Sequence, residues 1–242
     1  MFYVPFIAGT IVGGGISWPV GWLFIATSAL FISRESLLRV WRRRTDHAAR
    51  VTLLVHTLIG AIGGVVLLLC FHFYLLLWLA LPGMLLLLVN GWQASRRADR
   101  TISTEILAIA ALTLSAPAAH YVAGGHWNVT TWLLWGLSFL YFASSVFYVR
   151  YRVTSLHGRD PEVKRRVSML SLLYHLLLPI ILVIIIVRGD WSSLLLAAFL
   201  PIIVRALFHH LRPPATLNLK QIGLREIAYA VIFLILTVAG MS

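Results

Sequence analysis

Long apolar runs, set in pairs and divided by clusters of arginine, leave this chain one environment in which it can fold. Segments near 20 apolar residues bury their backbone polar groups only as helices crossing a bilayer. Nineteen of the twenty Lys and Arg residues fall in four segments that alternate with these paired runs, and Arg188 alone lies elsewhere. Only 12% of residues are charged and mean hydropathy is +0.89, against roughly 25% charged in a soluble domain. Basic segments after every second run follow the positive-inside pattern, so the chain reads as a multi-pass protein of the bacterial inner (cytoplasmic) membrane with its basic loops cytoplasmic. The net charge of +12 then belongs to loop anchors facing anionic headgroups. No RNP, zinc-finger or helix-turn-helix pattern supports nucleic acid as a partner. Cys70 is the single cysteine, which excludes an internal disulfide and a multi-cysteine metal site.

Nine apolar segments are expected, near residues 2–13, 18–32, 51–70, 73–89, 102–122, 129–149, 167–187, 191–207 and 226–241. The first is short for a span, and the expectation is that upstream residues complete it. Pro82-Gly83 falls inside the fourth, where a kink is expected. Gly60, Gly63 and Gly64 in the third have the spacing that lets helices approach closely. Trp18, Trp22, Trp127, Trp132 and Trp191 fall near the outer boundary, as an aromatic belt would. The expected fold class is an all-α polytopic transmembrane bundle of about nine helices, one transmembrane domain over residues 1–242, with lipids as its surroundings. Oligomeric state is not legible in the sequence.

The chemistry is concentrated at the cytoplasmic helix ends. Arg34, Arg39, Arg96, Arg100, Arg150 and Arg152 could line an Arg-rich pocket, because guanidinium forks suit phosphate and carboxylate groups. Topological anchoring is the plainer role for the same residues. Five further ionisable residues fall in or beside spans: Glu35, His56, Glu105, His175 and Glu226. Glu35 and Arg39 are four apart and can pair on one helix face. Glu105, about one turn into its helix, is favoured there by the macrodipole, and an ionisable group inside a span needs a partner. His56 and His175 lie at equal depth, which two axial haem ligands would require. With nine histidines in the chain such a match also arises by chance, and hydrogen-bonded interior roles are favoured over haem. His209-His210 is read as a solvated loop pair. No cofactor is expected: the motifs for nucleotide binding, metalloproteases and serine hydrolases are missing, and Asp46, Asp99, Asp160 and Asp190 are too scattered for a paired-carboxylate Mg²⁺ site.

Three stretches carry a resemblance. Tyr3-Val4-Pro5-Phe6-Ile7-Ala8-Gly9-Thr10 with Arg34-Glu35-Ser36-Leu37 downstream, residues 90–112 with Arg96, Arg100 and Glu105, and Gly223-Leu224-Arg225-Glu226-Ile227 resemble the YwiC-like family of bacterial integral membrane proteins. That family has no assigned activity and usually begins with an Arg-Glu-His-Gly-like element before the residues matching Tyr3, which this sequence lacks. The span number and layout are also similar to the UbiA-type prenyltransferases, whose resemblance would imply a ring of nine helices and Mg²⁺ held by Asp-rich motifs. The matching loops here, from Ser33 to Arg44 and from Tyr151 to Glu162, lack the paired aspartates. Three functional readings follow: a protein binding an amphipathic anion, such as a lipid or isoprenoid phosphate, through Arg39, Arg96, Arg100 and Glu105; a diverged prenyltransferase-like enzyme, the one case calling for Mg²⁺; and a proton-coupled transporter using Glu105 and His175.

Overall fold

In the computed structural model, the apolar runs form helices, some started by a side-chain cap and some, α1, α6 and α9, without one. The structure describes residues 2–42, 46–95, 101–212 and 218–241. Its helices are α1 (Tyr3–Val12), α2 (Trp18–Arg42), α3 (His47–Leu69), α4 (Leu76–Ser95), α5 (Ile102–Thr113), α6 (Ser115–Gly124), α7 (Val129–His157), α8 (Pro161–Gly189), α9 (Leu194–Leu211) and α10 (Leu219–Met241). No strand occurs among the described residues. Only Leu114 separates α5 from α6. The caps are local: Asp46 accepts from the Ala49 amide at the start of α3, Thr101 from Thr104 at α5, and Asp160 from Glu162 at α8, where Pro161 takes the first position. Gly125, at φ 68°, ends α6 in the left-handed conformation that glycine adopts without penalty.

Six described helices are long and apolar enough to cross a membrane: His47–Leu69, Ile102–Gly124, Val129–His157, Pro161–Gly189, Leu194–Leu211 and Lys220–Met241. The protein is a multi-pass helical membrane protein. α1 and the apolar part of α4 are shorter.

Several expected boundaries are wrong in the same direction. α2 continues through Arg34, Glu35 and Arg39 to Arg42; α7 carries Arg150 and Arg152 within its helix; α8 begins before Lys164. The loop expected between Arg150 and Arg166 shrinks to three residues, 158–160. Arginine and lysine are good helix formers, and their long side chains reach water without unwinding the backbone. α7 and α8 each have 29 residues, about 43 Å at 1.5 Å per residue, so their ends outrun a hydrocarbon layer of about 30 Å.

The chain packs as two compact units, Met1–Trp135 and Gly136–Ser242. In the first, α1 lies on α6, α2 on α3 and α4 on α5. Phe2, Phe6, Val20, Leu23, Leu67, Ala119 and Val122 form its core. Gly60 and Gly63 sit against Leu30 and Ala26 of α2, the close approach their spacing suggests, whereas Gly64 faces open space. In the second unit α9 packs against α8 and α10, and Tyr141, Phe199 and Phe233 meet ring to ring, with Tyr141 stacked on Phe233 at 4.1 Å. α8 turns Leu173, Leu176, Leu177, Ile180 and Ile184 outward, a surface suited to lipid.

Candidate functional site

The second unit contains a connected polar cluster within helices that otherwise bury apolar side chains. Its centre is Arg205 on α9. Arg205 falls near the end of the expected segment 191–207, and its side chain is 5% exposed. Its Nη1 donates to Glu226 Oε1 on α10, and Ser145 Oγ of α7 donates to the other carboxylate oxygen at 2.6 Å. The Tyr148 ring lies 3.9 Å from the guanidinium carbon and the Tyr229 ring 5.1 Å, which gives the cation an aromatic face in a region where its hydration is lost. Nε and Nη2 of Arg205 are buried without a hydrogen-bond partner among the described residues. These two nitrogens lie along one edge of the guanidinium, the edge that takes two oxygens of a carboxylate or phosphate side by side.

Tyr148 feels the charges of Arg205, Arg152, Glu226 and Arg225, three cations against one carboxylate. Arg152 is buried, at 3% exposure. The His209 ring approaches the same tyrosine: its Nδ1 donates to the Arg205 carbonyl at 2.8 Å and lies 3.3 Å from the Tyr148 hydroxyl. The Tyr151 hydroxyl donates to the His209 carbonyl at 3.3 Å, and its ring stacks on His210 at 4.0 Å. The expectation of a solvated His209-His210 loop is therefore corrected. Both residues belong to the last turn of α9 and are half-buried, because Tyr148 and Tyr151, one helical turn apart, supply aromatic and hydroxyl partners.

Beyond His210 the network reaches His175. His210 Nε2 lies 3.3 Å from Ser171 Oγ, and the fully buried His175 donates from Nδ1 to the Ser171 carbonyl at 2.7 Å. The remaining ring nitrogen, Nε2, is then an acceptor, and Ser144 Oγ donates to it at 2.9 Å. Both nitrogens of His175 are engaged, so ligation of haem iron would require breaking a buried hydrogen bond. His56, in the first unit, donates from Nδ1 to the Thr52 carbonyl at 2.8 Å.

The remaining predicted residues divide by location. Arg34 and Glu35 pair with each other at 3.1 Å at the exposed side of α2, so Glu35 pairs with its neighbour Arg34 where a pair with Arg39 was expected. Arg39 is exposed. Arg96 and Arg100 lie outside the described residues. Glu105 sits half-buried in the first turn of α5, as its position suggested. Arg150 and Arg152 share the end of α7 with Tyr148 and Tyr151, and Arg150 is half-buried. Glu226 is not at a helix start: α10 begins at Leu219, seven residues earlier, because Lys220 and Arg225 do not interrupt the helix. Arg205, Ser144, Ser145, Tyr148, Tyr151 and Ser171 are not among the candidate residues that the sequence pattern brings out. A signal was present for Arg205, which has Ile203-Val204 before it and Ala206-Leu207-Phe208 after it and so lies inside an apolar run.

Donors for a divalent cation do not assemble. No three His, Cys, Asp or Glu side chains come together as metal ligands among the described residues. Asp46 and Asp160 are occupied as helix caps, and Asp190 ends α8 at φ 53°. The described residues do not supply the donor set for the Mg²⁺ that a prenyltransferase-like reaction would call for. In the first unit, a hollow of ≈ 310 Å³ is lined by Leu75, Trp78, Leu79, Trp127 and Trp132, mostly through apolar surface.

Residues 1–120 match the YwiC-like protein family, a stretch contained in the first unit. Over nearly the whole length, 97% of this chain and 91% of the relative, the sequence is 25% identical across 244 residues to the uncharacterized protein YwiC of Bacillus subtilis (strain 168). No solved structure matches. The chain is thus a multi-pass helical membrane protein, similar over its first 120 residues to the YwiC-like family and over almost all its length to the Bacillus protein.

Proposed function

We propose that this is a bacterial inner-membrane protein, its basic helix ends on the cytoplasmic side, that binds an amphipathic anion carrying a phosphate group, such as a lipid or isoprenoid phosphate. The binding residues are Arg205 and Arg152 with Tyr148. The observation that supports this best is the Nε and Nη2 edge of Arg205, a buried bidentate fork not used by the described residues. A buried charged donor without an acceptor is costly, and an oxyanion is the ligand that satisfies both hydrogens at once. The excess of cations around Tyr148 favours the same ligand, and the apolar outward face of α8 leaves room for an acyl or isoprenoid tail in the surrounding bilayer. Binding is tested by native mass spectrometry of the gently solubilised chain offered farnesyl phosphate or farnesol. Retention of the phosphate and not of the alcohol, abolished by Arg205→Gln, supports the reading; equal retention of both refutes it.

A further inference from the structure

Resting on that anion-binding reading, we infer that the Arg205 site takes up a proton together with its anion, and that Glu226 is the group that receives it. Arg205 already spends one nitrogen on Glu226, and the Tyr148 and Tyr229 rings lie 3.9 Å and 5.1 Å from its guanidinium carbon. An oxyanion therefore reaches the guanidinium at its Nε and Nη2 edge. It then shares one guanidinium with a carboxylate, placing two negative charges within the span of a single, 5%-exposed side chain, with the carboxylate itself 20% exposed. In so poorly screened a place like charges repel strongly. Protonating Glu226 removes that repulsion and leaves the full charge of Arg205 to the ligand.

The local hydrogen bonds allow the change. Ser145 donates to Glu226 Oε2 at 2.6 Å while the carboxylate is charged. A serine hydroxyl also accepts, so the same contact persists with the donor reversed when Oε2 carries the proton. The proton comes from water and no bond to the ligand forms or breaks. The other titratable and charged groups near Glu226 are accounted for by element. α7 contributes Tyr141, Tyr148 and Arg152, and α10 contributes Arg225 and Tyr229. α9 contributes His209 beside Arg205 and Tyr148. α8 contributes His175, which lies in the fields of Arg205 and His210 with both ring nitrogens bonded. His209 and His210 are the competing titrating groups, and the experiment separates them from Glu226.

The test uses the full chain in phosphatidylcholine nanodiscs and a phosphodiester probe, whose charge is fixed near neutral pH. One arm supplies phosphatidylglycerol in the bilayer, and the other supplies its water-soluble headgroup, glycerophosphoglycerol. Affinity is expected to weaken with rising pH by up to about tenfold per pH unit, with close to one proton taken up per anion bound in weak buffer. Glu226→Gln should bind with an affinity that no longer depends on pH. Binding in the lipid arm alone identifies a membrane lipid, and binding in both identifies a free oxyanion; each supports the inference when proton uptake accompanies it. Binding without proton uptake, or pH dependence that survives Glu226→Gln, overturns the inference and leaves the anion site standing. Absence of binding in both arms at every pH removes the anion site and the inference together. If Glu226→Gln does not fold, proton uptake by the unaltered chain decides.

Discussion

Ser144 Oγ lies 2.9 Å from His175 Nε2 in the fully buried interior of the second unit. Because Nδ1 of that ring donates to the Ser171 carbonyl, the serine must be the donor to Nε2. Removing only the hydroxyl leaves a buried acceptor unsatisfied, at about 1–3 kcal/mol. Ser144→Ala is therefore expected to lower thermal stability in detergent by that amount. Replacing both groups, Ser144→Ala with His175→Leu, should recover much of the loss, since an apolar pair of similar shape leaves nothing unpaired. Additive losses in the double variant would refute the pairing.

The Arg205–Glu226 pair predicts a larger asymmetry. Removing one member of a buried ion pair costs about 3–5 kcal/mol, whereas replacing both by apolar residues is often neutral or better. Glu226 retains 20% side-chain exposure, which puts Arg205→Met near the lower end of that range. The double variant Arg205→Met with Glu226→Leu should be more stable than Arg205→Met alone and should bind no phosphate amphiphile. Denaturation and ligand retention, measured on the same preparations, then separate folding from binding.

Whole spans were easier to read in this sequence than the site. Length and hydropathy alone bring out α3, α8 and α10, whose 23, 29 and 23 residues contain long unbroken apolar runs. The ends were misread because a change in charge was treated as a change in backbone: Arg150, Arg152 and Lys164 continue their helices. The site was missed for a related reason. Arg205 lies within the expected segment 191–207, but its charge was counted among the topological anchors. On α7 the signal was periodic: Tyr141, Ser144, Ser145, Tyr148, Tyr151 and Arg152 recur every three to four positions, a polar stripe on one helix face. Its partners come from α9 and α10, at sequence separations that no local pattern reports.

Close packing in the first unit is testable at two glycines. A β-carbon on Gly9 would collide with the Ala116 backbone carbonyl of α6, whereas one on Gly21 of α2 would meet nothing within 4 Å. Gly9→Ala is expected to force α1 away from α6 and destabilise by about 1–3 kcal/mol. Gly21→Ala should be neutral or stabilising by about 0.5–1 kcal/mol, because alanine restricts the unfolded helix segment more than glycine. Opposite signs for the two substitutions in thermal unfolding would establish the α1–α6 contact; a harmless Gly9→Ala would refute it.

Membrane orientation is testable at the ends of α8. Its 29 residues outlast the hydrocarbon layer, so the exposed Arg159 before it and the exposed Ser193 after it are expected on opposite faces. Ser193 makes no side-chain cap bond to α9, so a cysteine there costs little structure. With Cys70, the single cysteine, replaced by serine, a membrane-impermeant maleimide added to intact cells should label Ser193→Cys at once. Arg159→Cys should react only after permeabilisation, because Arg159, Lys164, Arg165 and Arg166 form the basic cluster that the positive-inside rule retains in the cytoplasm. Labelling of both sites from one face would mean that α8 does not cross. Labelling of the two sites in the reverse order would keep the crossing but put the Arg152–Arg205 end of the second unit outside the cell.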